Sequence, residues 1–189
     1  MNMNWRRLIL SCVGLAAIAE LPLANAASGV HVLLSGDKGK GIKYRYGTWE
    51  NPGAIQFVNQ VMEISPPATD EGGAGSSLNQ KAVLPPSAFI RVIARLGPQN
   101  KASGFNIVLK DRDPEGVEHH VYRIPATRLV ENDFQTIDIP IAASDLINNR
   151  ANGVPDFMEG GLEGWEIQGN FEIQAPIHLF IKRVELVIP

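Results

Sequence analysis

Three short runs of alternating apolar and polar residues, all within residues 104–141, constrain the fold of this chain more than any other feature. In the first run, Phe105, Ile107 and Leu109 alternate with Asn106 and other polar or mixed residues. Because successive side chains of a strand point to opposite faces, these apolar residues share one face. The next two runs, residues 118–125 and residues 134–141, repeat the same period of two. This period predicts three strands rather than helices.

Similar runs occur along most of the chain. We expect further strands in segments 30–34, 42–50, 54–64 (a strand pair or one long strand, with a short helix as the alternative), 88–96 (with a helix as the alternative), 162–173 and 177–188. Residues 65–77 are rich in Pro, Gly and Ser and are predicted to form a long loop. Residues 142–157 are expected to be irregular, with one helical turn at residues 143–148 capped by Ser144. Eight to ten short strands with almost no helix predict an all-β, antiparallel β-sandwich in one domain.

The N-terminal segment has the pattern of a secretory signal peptide, which we place at residues 1–26. Arg6 and Arg7 precede a short apolar stretch, and the sequence Ala-Asn-Ala at residues 24–26 is typical of a cleavage site. The apolar stretch is too short for a spanning helix, although a membrane anchor is the alternative. Cys12 raises a second alternative, a lipoprotein. The sequence therefore predicts a secreted or periplasmic protein whose β-sandwich domain occupies residues 27–189, without a membrane span.

Charge and cysteine content exclude several classes of partner and chemistry. The formal net charge is −3, and no basic patch is visible, so we expect no nucleic-acid partner. Cleavage after residue 26 would remove Cys12, which is the only cysteine of the chain. The mature domain would then depend on its apolar core instead of disulfides, which a chain of this length can sustain.

The order of the segments resembles a known fold. The sequences GFNIVLKDRDPEG, FQTIDIPIA, GWEIQG and HLFIKRVELV, in this order, resemble the second half of a galactose-binding-like jelly roll. Secreted carbohydrate-binding modules of that fold are similar over residues 88–188. The resemblance implies a jelly-roll β-sandwich whose closing strand packs beside the first strand. It also implies carbohydrate binding, although a fold hosts many functions.

The chain departs from this family at the closing strand. Many such modules carry an Asp-Asn or Asp-Asp pair there, often linked to a structural calcium ion. Here the corresponding residues are Lys182 and Arg183, followed by Glu185. We therefore expect no cofactor, with a structural calcium as the alternative that the resemblance implies.

Two other groups of residues suggest metal ligands. Asp111, Asp113 and Glu115 are spaced like part of a calcium loop, but the distal Glu of such a loop is missing, so a solvated hairpin turn is favoured. His119 and His120 are neighbours in a predicted strand and would point to opposite faces, which disfavours a shared transition metal. We predict no metal site.

Aromatic residues are the candidates for binding a ligand, because an aromatic face suits the apolar side of a sugar ring. We select Tyr44, Tyr46, Trp49 and Tyr122 as ligand-binding residues. Trp165 shares a face with an isoleucine and is assigned to the core.

No catalytic motif is present, so we predict that the chain is not an enzyme. A Gly-x-Ser-x-Gly elbow is absent, and sequence alone does not set the separation of paired carboxylates. The sequence predicts a secreted, non-catalytic β-sandwich module that binds carbohydrate, with a glycan as its partner. The first alternative is a structural or envelope-associated domain that binds a protein and has no sugar site. A small polysaccharide hydrolase or lyase is the weaker alternative.

Overall fold

The structure is a computed structural model that describes residues 28–37, 41–113, 116–144, 146–148, 157 and 161–189. Side chains are described for the same residues, except for 79–82, 112–113 and 146–148. The predicted signal peptide, residues 1–26, lies outside the described residues.

Twelve strands and three short 3-10 turns make up the regular structure of the described residues. The strands are β1 (Gly29–Ser35), β2 (Tyr44–Gly47), β3 (Ile55–Val58), β4 (Val61–Ile64), β5 (Gly72–Ala82), β6 (Phe89–Leu96), β7 (Gly104–Asp113), β8 (Gly116–Pro125), β9 (Gln135–Pro140), β10 (Leu146–Asn148), β11 (Leu162–Gly169) and β12 (Leu179–Ile188). The 3-10 turns are Thr48–Glu50, Ala126–Arg128 and Ile141–Ala143. No helix of the described residues is long and apolar enough to cross a membrane.

The strands form two antiparallel sheets. The first, which we call the front sheet, has the order β10-β8-β7-β11-β5-β2. The second, the back sheet, has the order β3-β4-β12-β6-β9, and β1 also pairs with β12. The predicted all-β, antiparallel sandwich is therefore confirmed. The closing strand β12 pairs with the first strand, as the resemblance implied.

The core lies between the two sheets and follows the period of two. Ile107 of β7 and Trp165 of β11 contribute from the front sheet, and Ile90 of β6 and Val184 of β12 contribute from the back sheet. All four are at most 1% exposed, and each burial stabilises the fold by about 1.5–3 kcal/mol. The assignment of Trp165 to the core is confirmed.

The three alternating runs within residues 104–141 are strands β7, β8 and β9, but these strands do not form one meander. β7 and β8 form a hairpin in which Asp113 pairs with Gly116, and the two residues between them, 114 and 115, lie outside the described residues. β9 instead pairs with β6 in the back sheet. The chain passes from the front sheet to the back sheet after β8. Ile137 and Ile139 of β9 therefore pack into the core from the back sheet.

Residues 54–64 and 88–96, for which helices were alternatives, are strands. β3 and β4 form a hairpin whose turn residues, Asn59 and Gln60, both have positive φ, at 50° and 66°. Such values are typical of two-residue hairpin turns. β6 pairs with β12 on one side and with β9 on the other, which excludes the helix.

Three local predictions are wrong. The predicted loop at residues 65–77 contains the start of β5, which pairs with β2 and β11 inside the front sheet. The predicted strand at residues 42–50 ends early, because Gly47 has a φ of 63° and Thr48–Glu50 form a 3-10 turn. The helical turn expected at residues 143–148 is wrong for residues 146–148, which form strand β10 beside β8.

Candidate functional site

The outer face of the front sheet carries a group of aromatic and polar side chains. Tyr44 and Tyr46 project from β2, and Glu166 and Gln168 project from β11 in the phase opposite to the core residues. Lys110 of β7 joins them from the next strand. We call these five residues the tyrosine face. β2 is separated from β11 by the single strand β5, so the tyrosines reach across that strand.

The glycines of β5 allow the tyrosine side chains to lie against the sheet. Gly73 pairs with Tyr46, and Gly75 pairs with Tyr44. A Cβ atom at Gly73 would lie 2.4 Å from Tyr46 Oη, and one at Gly75 would lie 2.9 Å from Tyr44 Oη. Both distances are too short for a side chain at these positions. The glycine-rich sequence of β5 is therefore required by the two rings that cross it.

Glu166 is the centre of the hydrogen-bond network on the tyrosine face. Tyr44 Oη donates to Glu166 Oε1 at 2.7 Å, and Tyr46 Oη donates to Oε2 at 3.2 Å. Lys110 Nζ forms an ion pair with Glu166 and also lies 3.2 Å from Tyr44 Oη. Tyr46 Oη is 3.4 Å from Gln168 Oε1. Each ring is therefore held in place by a charged partner.

The charges of this network are fixed at neutral pH. Burial would raise the pKa of Glu166, but hydrogen bonds from Lys110 and Tyr44 outweigh it and lower that pKa. Burial raises the pKa of Tyr44, and the hydrogen bond to Glu166 raises it further. Burial and the charge of Glu166 likewise raise the pKa of Tyr46. Both phenols stay protonated and Glu166 stays ionised, so the face offers hydroxyl groups and one carboxylate.

Two depressions lie beside the tyrosine face. One, of about 260 Å³, is lined by Lys110, His119 and Glu163, among others. Burial, and then the charge of Lys110, lowers the pKa of His119, which is therefore neutral at pH 7. A hollow of about 480 Å³ opens at the β2 edge and includes Tyr44 and Arg45 in its lining. Polar and aromatic groups thus line both depressions.

Two of the four predicted ligand-binding residues are corrected by the structure. Trp49 is completely buried in the Thr48–Glu50 turn, and its indole nitrogen donates to the carbonyl oxygen of Thr69 at 2.8 Å. Tyr122 is also completely buried, and its hydroxyl donates to the carbonyl oxygen of Ile141 at 2.7 Å. Neither ring is accessible to a ligand. Tyr44 and Tyr46 are the two predicted residues that the fold brings together on a surface.

The polar residues of the tyrosine face, Lys110, Glu166 and Gln168, were not among the site residues predicted from the sequence. Glu166 and Gln168 alternate with Trp165 and Ile167, so their outward direction followed from the assignment of those two residues to the core. Lys110 similarly follows Leu109, a core residue. What the sequence did not show is that β7, β11 and β2 lie close enough for these groups to meet.

The residues weighed as metal ligands do not all lie on one face of the front sheet. Asp111 points into the core at 1% exposure, so it does not face a solvated calcium loop, and Glu115 lies outside the described residues. His119 faces outward, whereas His120 is completely buried, which confirms that the two point to opposite faces.

Known proteins resemble this chain in fold. No protein-family model matches the sequence, and no curated protein matches it. The family 11 carbohydrate-binding module from Clostridium thermocellum, solved with a beta-1,3-1,4-mixed-linked tetrasaccharide, superimposes with a TM-score of 0.51 at 17% identity, over 85% of this chain and 88% of that one. This likeness confirms the predicted resemblance in fold.

Two further solved structures have lower TM-scores. The family 11 module of the cellulosomal cellulase Lic26A-Cel5E of Clostridium thermocellum has a TM-score of 0.49 at 18% identity, covering 87% of this chain and 97% of that one. The xylan-binding module CBM15 has a TM-score of 0.48 at 12% identity, covering 85% and 97%.

Proposed function

We propose that this chain is a secreted, non-catalytic carbohydrate-binding module, and that the tyrosine face is its glycan-binding surface. Residues 1–26 would direct export and be removed, and residues 27–189 would form the binding domain. The glycan would be the partner, and no cofactor would take part in binding it. The likeness in fold to a module solved with a tetrasaccharide supports the proposal.

The observation that carries the proposal is the arrangement of Tyr44 and Tyr46. Both side chains lie over the glycines of β5 and are partly exposed, with hydroxyl groups anchored to Glu166. Rings whose hydroxyl groups are anchored offer apolar surface to the C–H side of a pyranose, at a low cost in conformational entropy. Gln168 and Lys110 supply an acceptor and donors for sugar hydroxyls beside the rings, which Glu166 holds in place.

The electrostatics of Glu166 support binding without catalysis. A glycosidase needs a general acid whose pKa is raised, together with a second carboxylate at a fixed separation. The pKa of Glu166 is instead lowered, and its oxygens already accept hydrogen bonds from Lys110 and Tyr44. A carboxylate in this state, 7% exposed and already bonded to three donors, is suited to hold the two tyrosines and Lys110 in place and not to act as a general acid.

The test is affinity gel electrophoresis on a set of soluble polysaccharides, followed by calorimetry on those that retard the protein. Mixed-linkage beta-1,3-1,4-glucan and xylan are the first two to use, with a gel lacking polysaccharide as the blank. We expect Tyr44→Ala and Tyr46→Ala each to weaken binding about 30-fold, equivalent to about 2 kcal/mol for an aromatic anchor. Tyr46→Phe keeps the ring and should lose less than Tyr46→Ala.

Phe171→Ala is the matched control, because Phe171 is an exposed aromatic residue, at 54% exposure, in the loop after β11. It should bind as the wild type does. Failure of the wild-type chain to bind any glycan would refute the proposal and favour a protein-interaction domain. Equal losses in Phe171→Ala and Tyr46→Ala would show that the tyrosine face is not the site.

A further inference from the structure

The inner face of the β7–β8 hairpin carries three ionisable side chains that the glycan proposal does not use. Asp111 of β7 lies directly opposite Glu118 of β8, and His120 follows two residues later on the same face. Asp111 is 1% exposed, and Glu118 and His120 are both 0% exposed. Buried carboxylates placed opposite each other repel, and charged groups rarely remain buried without compensation.

The three side chains converge on one point. His120 Nε2 lies 3.0 Å from Asp111 Oδ2 and 3.4 Å from Glu118 Oε2. One potential ligand atom from each residue lies within 4.8 Å of the other two. Asp111 Oδ1 is also buried and has no hydrogen-bond partner among the described residues. The cluster therefore combines a ring nitrogen, two carboxylates and an unsatisfied buried oxygen.

We propose that Asp111, Glu118 and His120 bind a divalent metal ion of the zinc class. A dication would neutralise both carboxylates beside a neutral imidazole. Zinc binds nitrogen and carboxylate oxygen at about 2.0–2.2 Å in a tetrahedron, whose vertices then lie about 3.4 Å apart. The two distances from His120 Nε2 are close to this separation. Calcium is less suited, because it takes six to eight oxygen ligands at about 2.3–2.6 Å.

The role of such an ion would be structural. Its ligands come from both strands of the hairpin, so the ion would join β7 to β8 near their turn. The side chains are buried, which leaves no exposed position for a substrate. Phe157 packs edge-on against His120, with ring centroids 4.9 Å apart, and closes that side of the cluster.

The test starts from full-length protein dialysed against a chelator. Zinc is added back in a calorimetric titration, and the metal retained after desalting is measured by elemental mass spectrometry. We expect one zinc per chain and a higher melting temperature with zinc than without it, because a ligand that binds only the folded state stabilises it. His120→Ala should bind no zinc at micromolar concentrations.

His178→Ala is the matched control. His178 is also buried, and its Nε2 lies 3.1 Å from Glu63 Oε1 in the back sheet, but no third ligand joins that pair among the described residues. This variant should keep one zinc per chain, as should the wild type. All variants retain Cys12 and the other histidines, so unrelated binding by those residues cancels in the comparison.

Several results would overturn the proposal: no zinc bound by the wild type, stoichiometric zinc in His120→Ala, or calcium bound in preference to zinc. If His120→Ala does not fold, zinc-edge X-ray absorption of the wild type decides the question. One imidazole with oxygen ligands at about 2.0–2.2 Å supports the site. Sulfur, or two or more imidazoles, refutes it.

Discussion

The substitution Gly73→Ala tests whether the ring of Tyr46 lies against β5. A Cβ atom at Gly73 would be 2.4 Å from Tyr46 Oη and 2.5 Å from Cζ, closer than real side-chain contacts come. Because these atoms belong to the end of a side chain, Tyr46 can turn away while the backbone of β5 stays paired. The hydroxyl of Tyr46 would then leave Glu166, to which it donates at 3.2 Å.

The expected change in stability follows from three contributions. Crowding in a packed site costs about 1–3 kcal/mol, and a lost hydrogen bond costs about 1 kcal/mol when its partners are partly exposed. Alanine is favoured over glycine in a strand interior by about 0.5–1 kcal/mol. If Tyr46 relieves most of the crowding, Gly73→Ala should lower the free energy of unfolding by about 1–2 kcal/mol. It should also reduce polysaccharide binding as Tyr46→Ala does.

Gly75→Ala is the control for this experiment. A Cβ atom there would lie 2.3 Å from the backbone carbonyl oxygen of Trp165, which cannot move without disturbing the pairing of β5 with β11. Its cost should exceed that of Gly73→Ala, on the order of 3 kcal/mol or more. Urea unfolding followed by fluorescence measures both. Wild-type stability and binding in Gly73→Ala would show that Tyr46 does not cross Gly73.

Two further predictions concern Trp49 and Glu166. Trp49→Phe should lower the free energy of unfolding by about 0.5–1.5 kcal/mol, because the carbonyl oxygen of Thr69 loses the indole donor and keeps only the longer bond from Thr48 Oγ1, while polysaccharide affinity stays unchanged; a folded Trp49→Phe that no longer binds would restore Trp49 to the site. The pKa of Glu166 is lower in the folded state than its value of about 4.3 in the unfolded chain, so ionised Glu166 stabilises the fold at any pH above about 4.3. This contribution disappears as the pH falls through the pKa of the folded state. In urea unfolding between pH 7 and pH 3, wild type should therefore lose more stability than Glu166→Gln, and parallel curves would contradict the assigned ion pair with Lys110.

Alternation of side chains made most of the fold predictable. β7, β8, β9 and β12 have a period of two, and the assignment of Trp165 to the core followed from its phase. β5 was missed because its glycines are typical of loops. Glycine is needed there because the side chains of Trp49, Tyr46 and Tyr44, which belong to another part of the chain, lie very close to the backbone of β5. Such contacts depend on strands distant in sequence, which local composition does not reveal.

The same alternation could have corrected the candidate site. Trp49 falls in the phase opposite to Tyr44 and Tyr46, so a strand over residues 42–50 would not place the three rings on one face. Tyr122 shares its phase with Ile124, a core residue. Selection by residue type therefore included two buried rings. Phase alone, however, does not give the distance between strands, so the meeting of Glu166 with both tyrosines required the order β2-β5-β11.

The β7–β8 hairpin directs the side chains of the proposed glycan surface and those of the proposed metal site to opposite faces. Lys110 and His119 pair across the strands on the outer face, whereas Asp111 and His120, the next residue of each strand, point into the core. A shift of one residue in register would exchange these sets and place two carboxylates outside. The register therefore gives the outer face its cation and neutral imidazole and gives the inner face its ligand atoms. Because no side chain belongs to both sets, loss of metal binding in a variant would leave the glycan proposal intact, and the reverse also holds.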